Sequence, residues 1–133
     1  MTDVWKIGSL TTNDLTGKTL KAGAASGATV NTGYCIQIAG VDYAVTAGKT
    51  LTITGIIPIA AMDATTFATF QLRYADNAAL TTNPVGLFTI SAYFAGGVGV
   101  IPCKLSVAAG KYVGIYITVA GRACSCAIVG YEA

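Results

Sequence analysis

Apolar and polar positions alternate in short runs along most of the chain, and each run ends in a turn signal. In TLTITGI (50–56), Leu51 and Ile53 fall on one face and Thr50, Thr52 and Thr54 on the other. That period of two is the mark of a half-buried strand. In TFATFQLRYAD (66–76), Phe70, Leu72 and Tyr74 share a core face, with Thr69, Gln71 and Arg73 opposite. VDYAV (41–45) sets Val41, Tyr43 and Val45 against Asp42 and Ala44. Further β runs are YCIQIAG (34–40), GLFTISAYF (86–94), VIPCKLSV (100–107), KYVGIYITV (111–119) and CSCAIVGYE (124–132). Turn-forming segments such as TAGK (46–49), NAALTTNPVG (77–86), AGGVG (95–99) and AAGK (108–111) separate them. Pro102 marks its run as an edge strand or a bulge, because proline cannot donate to a ladder. Residues 60–65 read as a helical turn or a loop, and no segment has the periodicity of an amphipathic helix. About eight strands without helices between them predict an all-β fold, an antiparallel jelly roll or β-sandwich.

The pattern stops short of the N-terminus. Residues 1–33 are rich in Thr, Gly, Ala and Ser, with one apolar cluster at Val4, Trp5, Ile7 and Leu10. They read as an extended arm with one short strand near 4–10, preceding a jelly-roll domain at 34–133. Trp5 is the natural anchor for such an arm on a neighbouring subunit, since tryptophan buries a large area with few rotors. An internal echo links VTAGKTLTITGI (45–56) with VAAGKYVGIYIT (107–118). In each, a glycine (Gly48, Gly110) supplies a positive φ or a tight approach, and a lysine (Lys49, Lys111) keeps the strand start solvated. Matched halves are what a double Greek key would show.

Composition narrows the function classes. Hydrophobic residues make up 53% of the 133-residue chain and charged residues 11%, against roughly 25% charged in an ordinary domain. This excludes a disordered chain. A net charge of +2 without a basic run argues against nucleic acid as partner. No stretch approaches the roughly 20 apolar residues of a spanning helix, so no membrane role is expected. The start, MTDVWKIGSL, lacks the charged and apolar regions of a secretory signal, which predicts synthesis in a cytoplasm. A surface so poor in charge suits burial against another protein, most simply copies of itself.

Candidate chemistry is sparse. There is no histidine, so Ser91, Ser106 and Ser125 have no partner for a Ser–His mechanism. The carboxylates Asp3, Asp14, Asp42, Asp63, Asp76 and Glu132 are scattered and read as solvated loop-end residues. TNDLT (12–16) and YADN (74–77) carry too few of them for calcium. GAASG (23–27) and GGVG (96–99) read as turns, lacking the Lys-Ser/Thr of a phosphate loop. Cys35, Cys103, Cys124 and Cys126 lack zinc spacing and read as small buried side chains. The expectation is therefore no enzyme: no catalytic residue, no cofactor and no metal. Candidate interface residues are Trp5, Ile7 and Leu10 in the arm, with Tyr112, Tyr116 and Tyr131 in the last two strands.

The run YAVTAGKTLTITGI (43–56), then FQLRYADN (70–77), Asn83-Pro84 before a strand, AGKYVGIYITV (109–119) and CAIVGYE (126–132) together resemble small trimeric jelly-roll proteins of tailed-phage virions. Head decoration, or cement, proteins are the nearest in style, and the jelly-roll heads of phage fibres look similar. The resemblance covers about 40–133 and rests on strand order and turn style. It implies a homotrimer on the virion surface, bound to the major capsid protein of the shell and stabilising it, with an arm reaching neighbouring subunits. The alternative is a receptor- or carbohydrate-binding head of a fibre or tail protein, using exposed tyrosines and the loops 60–66 and 77–85.

Overall fold

A computed structural model describes residues 19–27, 29–58, 68–92, 101–119 and 124–133. Among them are ten strands: β1 (Thr19–Gly27), β2 (Thr32–Cys35), β3 (Gln37–Ile38), β4 (Val41–Asp42), β5 (Leu51–Pro58), β6 (Ala68–Ala75), β7 (Val85–Ala92), β8 (Ile101–Val107), β9 (Tyr112–Val119) and β10 (Cys124–Glu132). They form two antiparallel sheets, ordered β4-β3-β1-β10-β5-β8 and β2-β9-β6-β7. Four pairs nest within one another: β1 with β10, β2 with β9, β5 with β8, and β6 with β7. A long antiparallel hairpin folded at the β6–β7 loop and then rolled gives this pairing, and it is the jelly roll. The fold is all-β. Among the described residues no helix is long and apolar enough to cross a membrane.

The alternating runs set the core. Leu51, Ile53 and Ile56 of β5 and Cys126 and Ile128 of β10 meet Phe70 and Leu72 of β6 and Val113, Ile115 and Ile117 of β9 between the sheets. All of these are essentially excluded from solvent. Burying one such side chain contributes about 1.5–3 kcal/mol. Strand β8 is an edge strand, and its burial alternates along the strand, with Pro102, Lys104 and Ser106 exposed. Pro102 pairs with Gly55 beside a register shift between Ile53 and Gly55. Edge position and bulge thus coincide at the one proline of this strand.

The sheet reaches back into the small-residue segment before residue 34. Strand β1 pairs with β10 over nine positions, Thr19 opposite Glu132 through Gly27 opposite Cys124. GAASG (23–27), expected as a turn, is therefore strand. The reason is clearance. A Cβ on Gly23 would lie 2.3 Å from Ile36 Cγ2, and one on Gly27 would lie 2.0 Å from Tyr34 Cε2. Small residues are demanded there by packing, and their lack of apolar alternation hides the strand. The expected strand near 4–10, and the segment 60–65, lie outside the described residues.

The two V-x-A-G-K turns behave as the echo implies, and they meet in space. Gly48 and Gly110 have φ of 77° and 80°. Each turn closes with a backbone hydrogen bond, Lys49 N to Thr46 O at 3.0 Å and Lys111 N to Ala108 O at 3.4 Å. A positive φ at the third position only is the type II turn. Val45 O accepts from Gly110 N at 2.8 Å, and Val45 N donates to Lys111 O at 3.0 Å, so one turn is stitched to the other. Between β3 and β4, Ala39 and Gly40 have φ of 52° and 79°, the two-residue type I′ hairpin. This tip leaves Val41 68% exposed, while Tyr43 and Val45 are buried as their alternation predicts.

Glu132 departs from the expectation of a solvated loop-end carboxylate: it is 5% exposed. Its Oε1 accepts from the Tyr43 hydroxyl, from Thr46 N at 3.1 Å and from Thr46 Oγ1 at 3.0 Å. The last strand is thereby pinned to the 43–46 segment, and a buried charge persists because it is hydrogen-bonded.

Three substitutions test this packing. Gly27→Ala should lower the unfolding free energy by about 1–3 kcal/mol through overpacking against Tyr34. Gly48→Ala meets open space and should cost about 1–2 kcal/mol from its φ alone; urea unfolding of both variants measures this. Tyr43→Phe should cost about 1–3 kcal/mol. Burial, then the hydrogen bond and charge of Glu132, hold the Tyr43 hydroxyl protonated above its ordinary range. Native protein keeps that proton where unfolded chain releases it, so stability falls as pH rises above about 10. Unfolding curves over an alkaline series should show a shallower fall in the Phe variant.

Candidate functional site

The β6–β7 loop, 76–84, is built from its own side chains. Asn77 Oδ1 accepts from the backbone N–H of Thr81 and of Thr82, each at 2.9 Å, and Asn77 Nδ2 donates to Thr81 Oγ1 at 2.9 Å. Asn83 Nδ2 donates to Asp76 Oδ2 at 2.9 Å, and Lys111 pairs with the other Asp76 oxygen. These two contacts, Lys111 first, hold the Asp76 carboxyl below the usual carboxylate range. Leu80 plugs the loop onto the four-stranded sheet. It is fully buried with Cys35 and Ala75, against Ala78 and Tyr112. Its φ of 60° is uncommon for a bulky residue, and burial together with Arg73 Nη1 donating to Leu80 O at 3.2 Å holds it there. Gly33 lets the loop approach, since a Cβ at that position would lie 2.1 Å from Ala79 O.

Beside this loop the chain crosses from β2 in one sheet to β3 in the other, and a cleft of about 370 Å³ opens there. One wall is Ala24 and Ser26 of β1 with Gln37 of β3 and Asp42 of β4. The other is Gly33, Tyr34 and Cys35 of β2 with Ala78 and Ala79 of the loop. Gln37 Nε2 donates to Asp42 Oδ1 at 2.9 Å. Tyr34 is fixed from behind, its hydroxyl accepting from Thr29 N at 3.3 Å. Burial, then the hydrogen bond to Asp42, pushes the Cys35 thiol up to about 12. It is a protonated, inert thiol at neutral pH and not a nucleophile. Among the described residues no group of three His, Cys, Asp or Glu side chains is placed to hold a metal. Cys35 and Cys103 are free thiols.

Three of the six expected interface residues are described, and they fall on two sheets. Trp5, Ile7 and Leu10 lie outside the described residues. Tyr112 is half-buried beneath the β6–β7 loop. Tyr116 is half-buried on the four-stranded sheet, its ring 3.8 Å beneath the Arg73 guanidinium, which Gln71 Oε1 orients at 2.9 Å. Tyr131 belongs to β10 in the other sheet and pairs with Leu20 and Thr52. Sequence reading also missed that β10 is buried on both faces. Ala127 and Val129, together with Ile57 of β5, are 4–7% exposed yet lie outside the core cluster. The continuous run Cys126–Gly130 carries that signal, since strands covered on both faces lose their alternation. The polar cleft had no signature in sequence beyond the loop 77–85, because its walls come from four separate strands.

Comparison with protein-family models, with curated proteins and with solved structures finds no match.

The loop geometry carries its own prediction. Asn77→Ala removes the acceptor for two backbone N–H groups, and it should cost about 1 kcal/mol. Hydrogen exchange at Thr81 and Thr82 should speed up, while amides in β9 and β10 keep their protection.

Proposed function

We propose that this chain is a non-enzymatic structural protein of a tailed-phage virion, a homotrimer that decorates the assembled shell, contacts the major capsid protein and stabilises it. The observation that carries this reading is the jelly roll with outward positions that are small and neutral. Ser106 and Thr118 are exposed on their strands, and charge is confined to a few positions such as Asp42, Lys49 and Lys104. Faces of this kind pack closely with copies of themselves at little desolvation cost, and cyclic symmetry repeats each such contact around the ring. A shell-bound protein needs contact area, roughly 1,200–2,000 Å² for a stable interface, and three attachment points add avidity. The rigid β6–β7 loop and the paired V-x-A-G-K turns supply a firm end for such attachment. The phage-protein resemblance of residues 40–133 points the same way.

Light scattering after size exclusion should give three times the chain mass. The full chain should then co-sediment with shells assembled from the capsid protein of its source and raise their thermal stability. A monomer that leaves such shells unaltered would overturn the reading.

A further inference from the structure

We propose that the cleft between β1, β2 and the β3–β4 hairpin binds a neutral carbohydrate, with Asp42 and Gln37 as the hydroxyl-recognising pair. The inference is independent of where the protein sits on a particle. Its size, about 370 Å³, lies within the roughly 300–1,000 Å³ of small-molecule sites and accommodates a mono- or disaccharide. The lining chooses the chemistry. Among the described residues no lysine or arginine lines the cleft, so these offer no counter-charge to phosphate, sulfate or acidic sugars. Its walls are polar at Ser26, Gln37 and Asp42, which disfavours an apolar ligand. A ligand with many hydroxyls and no charge fits such a lining.

The polar groups match that ligand. Asp42 is a carboxylate with more acceptor positions than its one contact with Gln37 and one with Cys35 use. It accepts hydroxyl protons in charge-assisted bonds, which are the stronger kind. The Gln37 amide, oriented by Asp42, keeps a second N–H donor and a carbonyl acceptor. Ser26, on the neighbouring strand β1 of the same wall, both donates and accepts. Ala78 and Ala79 on the other wall are small side chains that leave room for a sugar ring. The site is preorganised: Tyr34 is held through Thr29, and the loop carrying Ala78 and Ala79 is fixed by Asn77 and Leu80. Little ordering cost then falls on binding.

The test is a titration of the full chain, followed by backbone amide NMR shifts. The probes are the methyl glycosides of glucose, galactose, mannose, rhamnose and N-acetylglucosamine, with choline and inorganic phosphate as controls. A neutral glycoside should shift amides of Ser26, Gln37, Asp42 and Ala79 saturably. Asp42→Asn should weaken it by about tenfold or more. Ser26→Val, on β1 of the same wall and leaving the Asp42 contacts intact, should weaken it too, and it carries the test if Asp42→Asn unfolds. The proposal fails if no glycoside binds, if only choline or phosphate binds, or if shifts map elsewhere. It also fails if the folded variants bind as the parent does.

Discussion

The pairing of β1 with β10 encloses every other strand. Nine residues near the start of the described chain lie against nine at its end, and the remaining pairs nest inside that closure. β10 thereby becomes an inner strand, hydrogen-bonded to β1 on one side and β5 on the other. Its two-sided burial at Cys126–Val129 follows from that position. The closure depends on β1 having almost no side-chain bulk where the sheets approach, at Gly23 against Ile36 and Gly27 against Tyr34. Joining strands so distant in sequence carries a loop-closure entropy that only a large shared core offsets. That core is the set of Ile, Leu, Val and Phe residues drawn from both sheets.

The opposite end of the roll is held by backbone and buried charge. The two type II turns are stitched together at Val45, and Glu132 accepts three hydrogen bonds from Tyr43 and Thr46. Lys111 then reaches Asp76 in the neighbouring loop. Each contact joins an element of one hairpin to an element of another, so the loops at this end are positioned by the roll as a whole. This firmness is what places Ala78 and Ala79 opposite Ser26 and Asp42 and gives the cleft a fixed shape. The same firm end, on a chain with few charges, suits a protein whose work is to hold a position on a larger assembly.

Strand by strand, the apolar alternation was legible. Leu51 and Ile53, Phe70 and Leu72, and Val113 with Ile115 and Ile117 are core, as their spacing requires. Gly48 and Gly110 adopt the positive φ that their turns demand, and Pro102 sits on an edge strand beside a bulge. These are local properties: a period of two, a missing Cβ and a missing N–H each act within a few residues. β1 was not legible, because glycine and alanine carry no alternation, and what selects them is a side chain from another strand.

The sequence by itself therefore determined the class of the fold, most strand positions and the turn geometry, since those depend on neighbours along the chain. Only the tertiary structure decided that Glu132 is buried, that Leu80 plugs a loop, that Tyr116 lies under Arg73 in one sheet while Tyr131 belongs to the other, and that Ser26, Gln37 and Asp42 face a common cleft. Each of those outcomes depends on which strands become neighbours in space, and the nested pairing from β1–β10 inward fixes that for the roll as a unit.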